Sequence, residues 1–294
     1  MTENNGHHQT RPAPPAPSFA RRRSPWPLVV VAALLIIVPF IFWYGTWFGR
    51  PLSDAEIEKY LRDEANPRHE QHALAQIAGH MEQHDADVHR WYPQIAGLAS
   101  SRHADVRMTT AWVMGKDARA PEFHAALGQL LADAEPIVRR NAALALVPAN
   151  DASGRAELLA MLRPYTFNSP RTGQLVSLLA PGTPVKRDSM LARIRTDAGA
   201  VAEIRSPLPG RIAQSAVAVG AQIVAGQPLV TLAPDEDSVL NALVALRFVA
   251  TTEDLPEIER YAAGAGGLSA ESKREAALTV EAIKRRAAEN NQTK

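Results

Sequence analysis

The sequence predicts a mainly α-helical protein, in which an N-terminal transmembrane helix is followed by solenoid-like helical segments that flank one small all-β domain. Three observations predict it: an uncharged apolar run from Leu28 to Phe48, a helical pattern recurring at an offset of 32 residues, and a β-type pattern that occurs twice between 169 and 232.

The first 24 residues read as a disordered cytoplasmic tail, because a stretch rich in Pro, Asn, Gln and His cannot bury a core. A transmembrane helix is expected over 25–49. Its apolar run of about 21 residues would span roughly 30 Å at 1.5 Å per residue, with Trp26 at one end and Trp43, Tyr44 and Trp47 at the other as interfacial aromatics. Pro39 is expected to kink it. No small-residue cleavage site follows, which separates it from a signal peptide. Arg21, Arg22 and Arg23 precede the run, with Arg11 further back. Arg50 is followed by Asp54, Glu56 and Glu58. The positive-inside rule then places the N-terminus in the cytoplasm, the helix as a single-pass anchor in the inner membrane, and the C-terminal bulk in the periplasm or outside.

Charge and composition exclude several function classes. Net charge is +1, and beyond residue 50 the chain holds 27 basic against 30 acidic residues. Such a balance offers no electrostatic footprint for nucleic acid. The absence of cysteine removes disulfides, thiol catalysis and c-type haem attachment.

Residues 51–165 read as a helical domain. Ser53-Asp54-Ala55-Glu56 has the capping-box pattern that opens a helix. Ala104-Asp105-Val106-Arg107, ahead of Thr110, Ala111, Val113 and Met114, matches Pro136-Ile137-Val138-Arg139 ahead of Ala142, Ala143, Ala145 and Leu146; Ile95 and Leu98 answer Leu127 and Leu130. This resembles the HEAT-type repeat, in which paired helices stack and each apolar face is covered by the next repeat. His72 to Ile77 reads as a more degenerate copy. The pattern returns over 236–289, where Lys273 to Leu278 echoes Arg139 to Leu144, and 290–294 reads as a tail.

Between these segments lies the duplicated pattern, expected to form a β domain over 167–234. Its first copy runs Ser169-Pro170, Gly173, Leu175, Gly182, Val185, Asp188, Leu191, Ile194. The second runs Ser206-Pro207, Gly210, Ile212, Gly220, Ile223, Gly226, Leu229, Leu232. Apolar residues three or six apart, broken by Gly, Pro and Asp, suit short strands joined by tight turns. The copies resemble the half-motifs of the biotinyl/lipoyl-like barrel, with Gly220 to Leu229 as the G-x-x-V-x-x-G-x-x-L hallmark. The resemblance implies an attachment lysine at the hairpin tip of a carrier domain, but the tip here is Asp197-Ala198-Gly199-Ala200, and Lys186 lies in another turn. No biotin, lipoate or other cofactor is therefore expected. The zinc peptidases of related topology need histidine ligands, and residues 167–234 contain none. The domain is thus expected to resemble the unmodified barrel of membrane-fusion (adaptor) proteins, although the 11 residues between Ile194 and Ser206 suffice only for a β-hairpin.

No phosphate loop, G-x-S-x-G elbow or H-E-x-x-H occurs, and no catalytic residue is assigned. One constellation remains: His80 and His84, followed by Asp85, Asp87 and His89, with His69 and His72 upstream. An i, i+4 histidine pair lies on one helical face and can hold a divalent metal if a third ligand converges; such a polar stretch is more often a solvated helix face running into a loop. The functional expectation is a non-enzymatic, membrane-anchored scaffold or adaptor for protein partners in a transport or secretion complex. The alternative is an envelope metal-handling accessory or enzyme using the His80/His84 helix.

Overall fold

The computed structural model describes residues 26–43 and 50–292. The chain divides into two compact units, Met1–Pro51 and Leu52–Lys294. The expected tail over 1–24, Tyr44, Trp47 and the end of the apolar run lie outside the described residues.

In the first unit, α1 (Trp26–Trp43) is an 18-residue helix with Pro39 inside it. Among the described residues no helix is long and apolar enough to cross a membrane. The transmembrane helix over 25–49 is corrected accordingly. The N-in orientation and the inner-membrane location built on it fall with it.

The second unit opens with α2 (Asp54–Leu61), where Glu56 reaches back to accept hydrogen bonds from the Ser53 N–H (2.9 Å) and hydroxyl (2.8 Å). There follow α3 (Pro67–Glu82), α4 (Tyr92–Gly97), α5 (Ala104–Met114), α6 (Pro121–Leu130), α7 (Pro136–Leu146) and α8 (Arg155–Met161). Prolines at the starts of α3, α6 and α7 sit where a helix has no use for an N–H. Helices α3, α5 and α7 run parallel. Gln71 and Glu82, near the start and at the end of α3, bond Thr109 in the middle of α5 and Lys116 just past its end. Arg107 of α5 reaches the start of α7 at Asp133, and Gly115 lies against Ala145 at its end. Ile77, Trp91, Met114, Phe123, Leu127 and Leu146 fill the core between this row and the helices packed beside it.

The same bond recurs in consecutive repeats. Arg107 Nη1 donates to the Ser101 carbonyl (2.8 Å), and Arg139 Nη1 to the Asp133 carbonyl (2.7 Å). Each arginine also meets a carboxylate of the next turn of chain, Asp133 and Glu157 respectively. Each thereby ties the start of its own helix to the following one.

The β segment has eight short strands: β1 (Tyr165–Asn168), β2 (Gly173–Leu178), β3 (Pro184–Val185), β4 (Met190–Arg195), β5 (Val201–Arg205), β6 (Gly210–Ser215), β7 (Gln222–Ile223) and β8 (Pro228–Ala233). They form two four-stranded antiparallel sheets, ordered β1-β8-β6-β3 and β5-β4-β2-β7. The expected barrel is corrected to a sandwich. The outermost strands β3 and β7 are two residues long, so the sheets meet through their inner faces rather than by closure at their edges. Leu175, Leu191, Ile194 and Ile223 of one sheet interleave with Val185, Ile212, Leu229 and Leu232 of the other.

Its two halves are interlocked, since each sends its shortest strand into the sheet of the other. Equivalent backbone bonds repeat across the duplication. Gly182 N–H bonds the Ile212 carbonyl as Gly220 N–H bonds that of Leu175, and Asp188 N–H bonds the Ser206 carbonyl as Gly226 N–H bonds that of Ser169. The buried hydroxyls of Ser169 and Ser206 each donate to the carbonyl two residues on (2.7 and 2.6 Å). Even the strand irregularities are paired, at Leu175/Ser177 and Ile212/Gln214. Asp188, with φ of 64°, stands where the second copy has Gly226, with φ of 87°; aspartate is among the few residues that tolerate that conformation.

The chain leaves β8 into α9 (Glu236–Val249), α10 (Leu255–Ala262) and α11 (Ala270–Gln292), the last running past the expected boundary at 289. Leu158 and Leu162 at the end of α8 share a core with Leu243 and Leu246 of α9, Ile258 and Tyr261 of α10, and Ile283 of α11. Helices α8 and α9 are therefore packed neighbours, and the whole sandwich is an insertion in the loop between them. Helices α9 and α11 run parallel: Glu236 bonds Ser272, Leu243 bonds Thr279 and Ala250 bonds Arg286, at near-constant spacing.

Candidate functional site

The structure separates the histidines that the sequence grouped. His80 lies in the last turn of α3, its Nδ1 3.0 Å from Asp85 Oδ2 and its ring against Trp91. Because α3 ends at Glu82, His84 falls in the following turn with φ of 59°, off the helical face that an i, i+4 pair requires. His69 is stacked on Tyr60 with ring centroids 4.2 Å apart and pairs with Asp63 at 2.7 Å, while His72 is tilted against the same ring with centroids 6.2 Å apart. His89 Nδ1 lies 3.1 Å from the Ala86 carbonyl, and Asp87 donates its N–H to Asp85. Among the described residues no group of three or more His, Cys, Asp or Glu side chains is placed to hold a metal ion.

The β4–β5 hairpin closes at Thr196–Ala200, where Thr196 N–H bonds the Ala200 carbonyl and Gly199 takes φ of 79°. By the internal symmetry of the sandwich this tip corresponds to the place where the chain enters at Tyr165 and leaves at Ala233. Those two ends are adjacent, Tyr165 pairing with Leu232.

That junction is the most elaborated part of the molecule. Arg140 of α7 is 5% exposed, in the electrostatic reach of Asp235 and Tyr165. Burial lowers its pKa, opposed by the carboxylates of Glu157, 3.8 Å away, and Asp235. On the flank of the sandwich, Arg187 in the turn after β3 makes an ion pair with Asp105 in the first turn of α5. Opposite, the Tyr261 hydroxyl donates to the Leu162 carbonyl, and burial raises its pKa. Beside Tyr261 opens a cleft of about 220 Å³, lined chiefly by Leu162, Pro164, Pro234, Arg260, Tyr261 and Leu268. Its outer wall is the loop from α10 to α11, in which Gly264, Gly266 and Gly267 all take positive φ. Sequence reading missed this cleft. The run Gly264-Ala265-Gly266-Gly267 was the available signal, since three glycines in four residues mark backbone that other residues avoid.

The helical surface also presents large apolar side chains to solvent. Trp112 of α5 carries the Lys116 ammonium over its ring at 4.8 Å. Val244 and Phe248, four residues apart, share the outer face of α9.

No family model and no curated protein matches this chain. Among solved structures, a single-chain, multi-domain long-chain acyl-CoA carboxylase is similar over 34% of this chain and 11% of its own length, at 15% identity and a TM-score of 0.23. A likeness at that level carries no argument about fold or activity.

Proposed function

We infer that this protein is a non-enzymatic scaffold or adaptor that holds protein partners in a fixed relation. The observation that carries the reading is the insertion of the sandwich between two helices that pack on each other. Two differently shaped modules are thereby clamped at both strands of a single junction, with buried Arg140 in electrostatic reach of it and the Arg187–Asp105 pair at its flank. A rigid joint of this kind sets a spacing between surfaces, which is what an adaptor requires. Exposed Trp112, Val244 and Phe248 provide aromatic and aliphatic contacts on the helical module; such residues are disproportionately used at protein interfaces. The resemblance of the half-motifs to unmodified adaptor barrels points to a transport or secretion assembly as the setting.

The test is site-specific photocrosslinking in cells, with a photoreactive amino acid at Phe248 and, separately, at Ala198 on the hairpin tip. Discrete adducts that recur at each position and differ between them are the expected result. Two positions that yield only the diffuse background of a random surface residue would overturn the reading.

A further inference from the structure

The first helical repeat departs from the others at the two positions that fasten them. With Gly79 set on Gly115, Ala78 falls on Met114, Ile77 on Val113, Gln71 on Arg107 and Glu70 on Val106. Val106 and Val138 are fully buried, and Arg107 and Arg139 make the bonds that tie one repeat to the next. Glu70 keeps the burial without the apolar chemistry, and Gln71 replaces the tie with one bond of 3.4 Å to Thr109. Neither carboxyl oxygen of Glu70 is bonded, although polar groups surround it. Asp63 and Glu64 act on it from the chain after α2, and Arg102 and His103 from the chain ahead of α5. Asp63 is held by His69 and Asn66 and lies in the field of Lys59, while Arg102 spans His103 and the Glu64 carbonyl. His72 lies against Tyr60, and Asp105 and Arg107 of α5 are paired with Arg187 and Asp133. A buried carboxyl without a partner is tolerated neutral and not charged, because the anion has lost its water and gained no bond in exchange. Glu70 lies in the first turn of α3, so a small displacement of that end is enough to wet it.

We propose that the α2–α3 pair is a hinged leaf, closed on α5 while Glu70 is protonated and opened at the start of α3 when Glu70 ionises. The Glu82–Lys116 pair at the far end of α3 lies on the hinge side. Opening breaks the bonds from Arg102 to the Glu64 carbonyl (2.9 Å) and from Gln71 to Thr109, and it admits water to that end of the seam between α3 and α5. The movement concerns the helical module alone and is independent of the scaffold reading.

The full chain has no native cysteine, so a pair of nitroxide labels can be placed by Ala65→Cys in the loop between α2 and α3 and Ala125→Cys in α6, both exposed. A second pair, Ala125→Cys with Ala156→Cys on α8, reports the rest of the module. Distances are read by pulsed electron paramagnetic resonance. The first distance should be single at about pH 5 and lengthen by about 5 Å toward about pH 9, one helical turn being the clearance that water needs to reach the carboxyl. The second should not change. In Glu70→Gln the first pair should stay closed throughout, and Glu70→Val, which restores the residue of the other repeats, should do the same. A first distance that ignores pH overturns the proposal. So does a lengthening that persists in either variant, which marks a histidine as the titrating group, and so does one matched by the second pair, which marks a general loosening of the fold.

Discussion

Glu70 is a carboxylate buried at a cost to the fold. It sits in α3 with no exposed surface, and neither carboxylate oxygen has a hydrogen-bond partner. Burial pushes its pKa up, with His103 opposing and Glu64 and Asp63 adding to the shift. Its carboxyl therefore titrates higher in the folded than in the unfolded chain. Above about pH 4.3 the unfolded chain gives up a proton that the folded chain keeps, so stability falls as pH climbs through that window and levels off beyond the folded value. Glu70→Gln is expected to stabilise the protein at about pH 7.5. The gain should shrink to nothing as the melt is repeated toward pH 4.

Arg107 has the opposite character. Its guanidinium makes two bonds to Asp133, at 2.6 and 2.9 Å, and a third to the Ser101 carbonyl, all in a setting with little solvent. Although burial works against it, Asp133 is held below the usual carboxylate range by Arg107 and the Glu135 N–H. A depressed carboxylate adds stability that is present above about pH 3.9 and is lost as pH falls through its folded value. Removing Arg107 as Ala should cost about 3 kcal/mol, because it strands Asp133. The half-exposed Arg193–Glu203 pair at 3.6 Å gives the contrast. Arg193→Ala should change the urea midpoint by less than about 0.5 kcal/mol equivalent.

At the scale of elements, the duplication makes paired predictions. A Cβ on Gly210 would stand 2.5 Å from the Ala233 carbonyl oxygen, and one on Gly173 would collide with the equivalent oxygen of Arg195. Gly210→Ala and Gly173→Ala should therefore both destabilise by about 2 kcal/mol or more, since nothing but backbone can yield. Gly182 and Gly220 face open space but have φ near 90°, so alanine there should cost only about 1–2 kcal/mol. Leu229→Ala and Leu191→Ala, at matched buried positions, should each cost about 2–5 kcal/mol. A change at Ala198 on the tip should cost almost nothing. Guanidinium melts of the set would show whether the two halves respond alike.

The repeats were legible because their chemistry is local. Val106-Arg107 and Val138-Arg139 keep the same spacing to the carbonyl each arginine caps, and Gly173 and Gly182 recur as Gly210 and Gly220. Features that depend on distant chain were not legible. Strand β1 carries no turn signal of its own and exists because Tyr165 to Asn168 can pair with β8, more than sixty residues away. The burial of Glu70 follows from the chain around Asp63, Glu64, Arg102 and His103, which is in part distant in sequence. His84 looked like the partner of His80 only while α3 was taken to continue past Glu82. The apolar run after Trp26 was read from its length, its flanking aromatics and its flanking charges, yet among the described residues no helix is long and apolar enough to cross a membrane.

For the whole molecule, the insertion makes a simple statement about independence. Helices α8 and α9 bury Leu158, Leu162, Leu243 and Leu246 together without help from any strand, and the sandwich has a core of its own. Residues 165–233 replaced by a short Gly-Ser bridge should leave a folded helical protein. Far-UV circular dichroism should keep its helical signal, and cooperative unfolding should persist. Collapse of that transition would mean that the sandwich is part of the helical core.

The internal symmetry of the sandwich relates its tip at Asp197–Ala200 to the doorway through which the chain passes at Tyr165 and Ala233. Both are places where two neighbouring antiparallel strands come to an end side by side. One of them already carries an entire helical assembly, and the other carries four residues. A fold that tolerates a large cargo at one such place has no physical reason to refuse it at the other. The tip is thus a second docking bay already cut to size, where a foreign domain could be spliced without disturbing either sheet.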